Sequence, residues 1–186
     1  TGEDYVVIKY NSAGIQQWIQ RYNGPANSTD RANAMVIDGS GNVYVTGESV
    51  SATLNDYATI KYNSSGVQQW VSRFDGGDNS APQDYAIAIV VDASGNVYVT
   101  GHVTLYPQSG RRGTIKYNSS GVQQWVNAYI PPGAYSPYDR PASIKLDGAG
   151  NICVMNSVSM PSSYYDYQVM KLNSNTGDTV WTRTYN

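Results

Sequence analysis

The side chains able to do acid-base or nucleophilic chemistry are few in this 186-residue chain. His102 is its only histidine. Any Ser-His-Asp or Cys-His arrangement would therefore depend on this one residue, and a multi-histidine metal site is excluded. Cys153 is the only cysteine, and we expect it to pack in a strand as a small hydrophobic residue. We predict no catalytic residue, no metal site and no cofactor, and we expect His102 to lie in a loop.

Acidic and basic residues recur at regular places along the chain. Asp38, Asp92 and Asp147 each open an Asp-x-x-Gly-Asn turn. One carboxylate per turn falls far short of the oxygen ligands of a calcium loop, so capping of the turn is the predicted role. Lysines recur in the same way, at Lys9, Lys61, Lys116 and Lys171. A charge that repeats with the chain predicts a structural or surface pairing.

Tyrosine and arginine are the better candidates for binding. The chain has 17 Tyr and one Phe, and aromatic and Arg side chains are enriched in binding hot spots. We expect the variable connections between strands to be loops: 48–56, 75–84, 102–113, 130–141 and 158–166. The candidate binding residues in them are Tyr106, Arg111, Arg112, Tyr135, Tyr138, Arg140, Tyr164 and Tyr165. The alternative is that these side chains cover sheet edges as ordinary surface residues.

The elements that position these residues form a tandem repeat. Four times a Gly is followed four positions later by a Trp: Gly14 and Trp18, Gly66 and Trp70, Gly121 and Trp125, Gly177 and Trp181. The Trp positions step by 52, 55 and 56 residues. A recurring unit of this length is one supersecondary module that needs neighbours to bury its core.

One repeat predicts a four-stranded antiparallel meander. The apolar, β-branched run 86–91 is typical of a strand buried on both faces. The polar turn 92–96 joins it to the strand 97–101, and a second hairpin spans 114–126. Four-stranded sheets repeated radially are the design of an all-β propeller, each sheet being one blade. A sandwich of short strands is the rival, but it does not require the period.

The repeated phrases resemble a known family. Asp-Gly-Ser-Gly-Asn-Val-Tyr-Val-Thr-Gly at 38–47, its near copy at 92–101, and Ile-Lys-Tyr-Asn-Ser-Ser-Gly-Val-Gln-Gln-Trp at 60–70 and 115–125 are similar to the bacterial SBBP-type β-propeller repeat. This resemblance implies a propeller, usually seven-bladed, in secreted or surface proteins, and it implies no catalytic residue set. The third full copy departs from the pattern, with Cys153 for Tyr and 155–157 (Met-Asn-Ser) for Val-Thr-Gly.

The phase of the repeat predicts a half-blade followed by three blades. We place the outer two strands of the half-blade at 1–23 and the blades at 24–75, 76–130 and 131–186. Three and a half blades do not close a ring alone, and open strand edges are sticky. Two alternatives stay open: the chain is a segment of a longer propeller, or copies of it join by strand complementation into a closed or filamentous assembly.

Composition narrows the function. The net charge is −2 and the sequence pI about 5.2, without a basic stripe for nucleic acid or a run long enough for membrane insertion. We predict a noncatalytic extracellular or cell-surface protein with a structural and protein-recognition role that includes self-assembly. Its expected partners are other protein surfaces or copies of itself, and glycans. The alternatives are part of a larger propeller enzyme, quinoprotein-like or a lyase or hydrolase, and a carbohydrate-binding propeller.

Overall fold

The computed structural model describes residues 2–51, 54–76, 84–105, 108–129, 141–160 and 163–185. These residues form strands and turns, and no helix among them is long and apolar enough to cross a membrane. The strands group into four antiparallel sheets, which we number from first to fourth along the chain.

The first sheet has two strands, β1 (Tyr5–Tyr10) and β2 (Gln16–Tyr22). The second contains β3 (Asp30–Ile37), β4 (Val43–Val50), β5 (Asn55–Tyr62) and β6 (Gln68–Phe74). The third contains β7 (Tyr85–Val91), β8 (Val97–Leu105), β9 (Gln108–Tyr117) and β10 (Gln123–Tyr129). The fourth contains β11 (Pro141–Leu146), β12 (Ile152–Met160), β13 (Ser163–Leu172) and β14 (Thr179–Tyr185).

Each four-stranded sheet is a meander in which sequential strands pair antiparallel, and we call its members strands one to four. By sequence, β1 and β2 correspond to strands three and four. A buried apolar cluster fills each of the three gaps between neighbouring sheets. The third sheet is therefore covered on both faces, as consecutive apolar residues in its inner strands require. In the second sheet β4 and β5 are covered on both faces, whereas Met35 on β3 is 54% exposed. The prediction of an all-β fold built of four-stranded antiparallel meanders is confirmed.

The turns between strands one and two are held by their aspartates. The Asp38 carboxylate accepts hydrogen bonds from the amides of Ser40 and Asn42, both at 2.9 Å, and from the Tyr44 hydroxyl at 3.0 Å. Gly41 completes the turn with a φ of 78°, which an L side chain rarely adopts. Burial acts to raise the pKa of Asp38, but the hydrogen bonds outweigh it and hold the pKa below its ordinary value. Capping is therefore the role of this carboxylate in the structure.

The connections between strands two and three differ from the sequence prediction. The segments 48–56, 102–113 and 158–166 are mostly not loops, because strands two and three continue to pair as long hairpin arms. In the third sheet the pairing runs on through His102 opposite Arg112. These arms include Val, Thr and Tyr, which favour strands, but their many polar residues led to the wrong prediction of loops.

His102 is consequently a strand residue, and its expected place in a loop was wrong. Its side chain is buried in β8, and its ring stacks on Tyr85 with 5.2 Å between the ring centroids and 8° between the planes.

The fourth sheet corrects the alignment of the third full copy by one residue. Val154 pairs with Met170 as Val45 pairs with Ile60. Met155 therefore takes the place of Thr in the Val-Thr-Gly phrase and Asn156 the place of Gly. This copy has no Gly at the position that fixes the alignment of the other two copies, and the sequence alignment was therefore wrong by one residue.

Candidate functional site

The predicted binding set lies mostly beyond what the structure describes. Four of its members fall outside the described residues: Tyr106, Tyr135, Tyr138 and Arg140. The backbones of Arg111, Tyr164 and Tyr165 belong to β9 and β13, not to loops, and their side chains are not described. The Arg112 side chain is buried between the third and fourth sheets, where Nη1 donates to Gln168 Oε1 at 2.8 Å. Arg112 is thus an inter-sheet contact, and the other seven residues stay a prediction.

The repeated tryptophans join each sheet to the next one. Trp18 Nε1 donates to the carbonyl oxygen of Ser64 at 3.2 Å. Trp70 makes the same bond to Ser119 at 3.1 Å, and Trp125 makes it to Ser174 at 3.2 Å. Every acceptor lies in the turn between strands three and four of the following sheet. We call this arrangement the Trp-turn contact.

The repeated glycines form the seat for these rings. Gly66, Gly121 and Gly177 lie in the accepting turns with φ values of 84°, 81° and 78°. A Cβ atom added at Gly121 would lie 2.7 Å from the Trp70 ring, so a side chain there would displace the indole. The Gly-x-x-x-Trp motif of one sheet therefore contacts both the preceding and the following sheet. Its Gly receives the Trp of the preceding sheet, and its Trp reaches the turn of the following sheet.

The repeated lysines and tyrosines complete the Trp-turn contact. Lys9 Nζ donates to the same Ser64 carbonyl oxygen that accepts the Trp18 indole, at 2.9 Å. In the second sheet, Lys61 Nζ lies 5.2 Å from the centroid of the Tyr44 ring, a distance at which a cation is attracted to an aromatic face. Lys9 and Lys61 therefore make structural contacts within the fold, which is the role predicted for the repeated lysines.

A second line of contacts runs nearer the long hairpin arms. Tyr5 and Tyr57 are each buried at an inter-sheet gap, and the Tyr5 hydroxyl donates to the Ala58 carbonyl oxygen at 3.2 Å. A Cβ atom at Gly47 would lie 2.8 Å from the Tyr5 hydroxyl oxygen, and one at Gly101 would lie 2.6 Å from that of Tyr57. Small residues are thus required opposite these rings.

The fourth sheet exposes the residues that make these contacts elsewhere. Tyr167, Trp181 and Tyr185 correspond by register to Tyr57, Trp70 and Phe74. Tyr167 is 69% exposed, whereas Tyr57 is fully buried. We call the surface formed by Tyr167, Trp181 and Tyr185 the C-terminal end face.

The first sheet exposes the opposite half of the contact. Ile8 and Tyr10 correspond to Ile60 and Tyr62, which are buried under the first sheet. Tyr10 is 55% exposed against 1% for Tyr62, and in the described structure no atom lies within 4 Å of a Cβ built at Gly14. We call the surface formed by Val6, Ile8, Tyr10, Gly14 and Ile19 the N-terminal end face. The residues of the two end faces thus correspond to the two sides of the inter-sheet contact that recurs three times within the described structure.

A polar notch of about 540 Å³ lies near the starts of β3 and β7. Arg31 forms ion pairs with Glu3 at 2.5 Å and with Glu48 at 3.4 Å, and Asn55 Nδ2 donates to Glu48 Oε2 at 3.0 Å. Tyr85 adds an aromatic ring to the lining. Among the described residues, no group of three or more His, Cys, Asp or Glu side chains could hold a metal ion.

Asp84 ties the connection after β6 to β8 in the interface between the second and third sheets. Its two carboxylate oxygens accept the amides of Gly76 and Thr104, each at 2.6 Å. Burial raises the pKa of Asp84 to about 6, even though these two hydrogen bonds act in the opposite direction.

Strand two of the fourth sheet, β12, carries a thiol in place of an aromatic ring. Cys153 stands where the other complete sheets have Tyr44 and Tyr98. Lys171 Nζ then reaches the Asp147 carboxylate directly, at 2.6 Å. This hydrogen bond lowers the pKa of Asp147 to about 2 and raises the pKa of Lys171.

Comparison with known proteins identifies the repeat. No curated protein sequence matches the chain significantly. Residues 17–52 match the family model SBBP, described as a beta-propeller repeat. The matched stretch runs from strand four of the first sheet through strands one and two of the second, so it spans one inter-sheet gap. By this match, residues 17–52 correspond to an SBBP beta-propeller repeat.

Proposed function

We propose that this chain is a noncatalytic structural and recognition module of β-propeller blades that binds further blades of its own type through its two end faces. One observation carries the proposal. Within the described structure, the residues of the interface that recurs three times also occur on two exposed faces, with Trp181 on one face and Gly14 on the other.

The end faces carry the chemistry that such binding needs. Trp181 offers an indole N–H and a large apolar surface, and the exposed residue Ser12 corresponds to the carbonyl acceptors of the internal contacts. Tyr167 and Tyr10 add amphipathic rings, which are enriched at protein interfaces. Association of one end face with the other is head-to-tail, so it generates a ring or a filament.

An extracellular or cell-surface location is part of this proposal. Its support is compositional: 17 tyrosines and a charged fraction of 14% make polar aromatic sheets that are suited to contact with water and with other proteins.

Light scattering after size exclusion tests the association. We expect a mass that rises with concentration above the 20.3 kDa of one chain. Trp181→Ala and Gly14→Asn should each return the protein to a monomer. Asn tolerates positive φ and has free space at position 14, so the fold is retained while the seat for the ring is filled.

Gly150→Asn is the matched control. Gly150 has a φ of 79° and free space around its Cβ position, but it lies in a turn between strands one and two, outside the Trp-turn contact. It should associate as the wild type does. A wild-type chain that stays at 20.3 kDa at every concentration would contradict the proposal.

Carbohydrate binding is the second candidate, and the notch favours it. Arg31, Glu48 and Asn55 present planar polar groups beside the Tyr85 ring, which is the combination of hydrogen-bonding and stacking groups that suits a sugar. A glycan array with the wild type and Tyr85→Ala tests it. Glycan binding that Tyr85→Ala abolishes supports this function, and an array without binding rejects it.

A further inference from the structure

Two of the connections between sheets begin with a dipeptide that is prone to chemical rearrangement. Asn23 and Gly24 follow β2, and Asp75 and Gly76 follow β6. In an Asn-Gly or Asp-Gly sequence the Gly amide nitrogen can attack the side-chain carbonyl carbon of the preceding residue, because Gly has no side chain to hinder the approach. Asn23 and Asp75 are both exposed, so water reaches them. These two places are therefore candidate sites of covalent change.

Packing between the sheets requires both glycines. A Cβ atom added at Gly24 would overlap with Ser49 Oγ, and one added at Gly76 would overlap with the carbonyl oxygen of Thr104. A larger residue at either position would force its neighbours to shift. The fold therefore cannot remove the labile dipeptide by replacing its Gly.

A buried carboxylate holds the amide nitrogen of each Gly. The Gly24 N–H donates to Asp30 Oδ2 at 2.6 Å, and the Gly76 N–H donates to Asp84 Oδ2 at 2.6 Å. Asp30 is 1% exposed and Asp84 is 5% exposed. The Gly and the Asp are six residues apart in the first case and eight in the second. The same contact thus recurs at both labile dipeptides, although the spacing differs.

Stability alone explains the Asp30 contact poorly. Within the described structure the Asp30 side chain makes this one hydrogen bond, and its Oδ1 atom is buried without a hydrogen-bond partner. Burying a carboxylate with so few hydrogen bonds costs free energy. Asp84 makes a second hydrogen bond, to the Thr104 amide at 2.6 Å. What the two carboxylates share is therefore the Gly amide that each one holds.

We propose that Asn23 and Asp75 are sites of succinimide formation, and that Asp30 and Asp84 suppress the reaction. In the reaction the Gly nitrogen gives up its proton and bonds to Cγ of the preceding residue. The proton leaves with the side-chain amide as ammonia at Asn23, and with the carboxyl hydroxyl as water at Asp75. Water then opens the ring at either carbonyl and gives aspartate or isoaspartate.

The geometry opposes the first step of this reaction. A negative charge beside the Gly nitrogen disfavours its deprotonation, because a second negative charge would form next to the first. The hydrogen bond to a carboxylate is also a strong one, and it holds the peptide plane in place. Asp30 and Asp84 therefore withhold the nucleophile without touching the residue that it would attack.

The product would disturb the junction between sheets. Isoaspartate adds one atom to the main chain, so it would displace the following Gly from a space that admits no side chain. Modification at Asn23 would move Gly24, and modification at Asp75 would move Gly76. Each carboxylate thus protects the packing to which its own Gly contributes.

Peptide mapping after storage at neutral pH tests the proposal. Asp30→Ala should raise the rate of rearrangement at Asn23 at least about tenfold, because the nitrogen loses a hydrogen bond to a charged group. Asp84→Ala should raise the rate at Asp75 by a similar factor. Mass spectrometry detects the deamidation of Asn23. Transfer of a labelled methyl group by an isoaspartyl methyltransferase quantifies the product at Asp75, where the mass does not change.

Each variant is the control for the other one. Asp30→Ala should leave Asp75 at its wild-type rate, and Asp84→Ala should leave Asn23 unchanged. Asp38 and Asp147 are internal references, because each is followed by Gly but has its carboxylate held by amides of its own turn. Synthetic peptides of residues 20–29 and 72–80 give the rates of the unrestrained chain, and the wild-type protein should be slower than both.

Three results overturn the proposal: a wild-type rate equal to that of the peptides, no increase at the dipeptide whose carboxylate is removed, or an equal increase at both dipeptides in either variant. A decrease would make the carboxylate a base that promotes the reaction, and an equal increase would assign the protection to folding as a whole. Neither Gly24 nor Gly76 belongs to an end face, so these results do not depend on end-to-end association.

Discussion

The interface between the second and third sheets and the C-terminal end face are built from the same kinds of side chain. Tyr57 and Trp70 pack against the third sheet, whereas Tyr167 and Trp181 contact no following sheet in the described structure. Among the three positions that define the end face, the one change of residue type is a Tyr at position 185 where the closed interface has Phe74, and a hydroxyl suits a ring that meets water. The comparison teaches that the position of a sheet in the stack decides whether the same side chain is buried between sheets or exposed.

Replacing the Trp with Ala in the closed interface and in the C-terminal end face should give the largest difference in stability between the two regions. Trp70→Ala deletes a ring packed between Tyr44 and Tyr117, so we expect a loss of about 3 kcal/mol in the free energy of unfolding. Trp181→Ala removes a partly exposed ring and should cost less than about 1 kcal/mol. Urea unfolding at a concentration where the wild type is monomeric measures both. Equal losses would show that the end face is as well packed as the interior.

Substituting the glycines that precede these tryptophan contacts should show the same contrast in stability with a smaller effect. Gly14→Ala and Gly121→Ala both force an L side chain into positive φ, which costs roughly 1 kcal/mol. Gly121→Ala also pushes a methyl group against the Trp70 ring, so a further loss of about 1–3 kcal/mol is expected. The same unfolding measurement applies. A difference near zero would mean that the Trp70 ring moves aside freely, which would contradict a tightly seated contact.

The meander was readable from the sequence because its signals are local. Consecutive apolar residues, Gly-Asn turns and the fixed period between tryptophans each lie within one repeat. Strand periodicity assigns a side chain to a face but does not name its neighbour across the gap. The contact of Trp70 with the turn at Ser119 was therefore not predicted. Its only trace in the sequence is the constant Gly-x-x-x-Trp spacing, which places Gly121 in that turn four residues before Trp125.

Other misses have different physical causes. The loop predicted around His102 failed because strand pairing is cooperative and continues through polar residues. Half of the predicted binding set falls outside the described residues, and Arg112 is buried for a reason that only the fold reveals. It occupies the place of Tyr5 and Tyr57 at a gap where Asn156 replaces the facing Gly.

The pH dependence of the free energy of unfolding should differ between Asp84, in the interface between the second and third sheets, and Asp147 of the fourth sheet. The pKa of Asp84 is raised to about 6, so its contribution to stability is full below its unfolded value near 4 and is lost as the pH rises through 6. We expect the free energy of unfolding to fall by on the order of 2 kcal/mol between pH 4 and 7 from this group, after allowance for solvent screening. Asp84→Asn should remove this slope.

Asp147 provides the control for the titration. Its pKa is lowered to about 2, so its contribution is present above its unfolded value near 4 and is lost only as the pH falls toward 2. Asp147→Asn should therefore leave the slope between pH 4 and 7 unchanged. If Asp84→Asn keeps the slope, another group titrates in the interface.

The smallest expected effect concerns the thiol of the fourth sheet. Cys153→Tyr restores the ring that packs beside the same-sheet Trp in the other complete sheets. We expect stability to change by less than about 1 kcal/mol, with lower acrylamide quenching of Trp181, measured as the difference from Trp181→Phe. Cys153→Ser should leave the quenching unchanged. An increase in quenching with Cys153→Tyr would show that the ring displaces Trp181 instead of covering it.

The Gly-x-x-x-Trp motif has a consequence for how such chains lengthen over evolution. Both halves of the Trp-turn contact lie four residues apart in one unit, yet they act on opposite neighbours. A tandem duplication of one unit therefore supplies a matching ring and seat at each new junction without a further mutation. Gain or loss of a whole unit preserves every remaining junction, so copy number can drift while the junction chemistry stays the same.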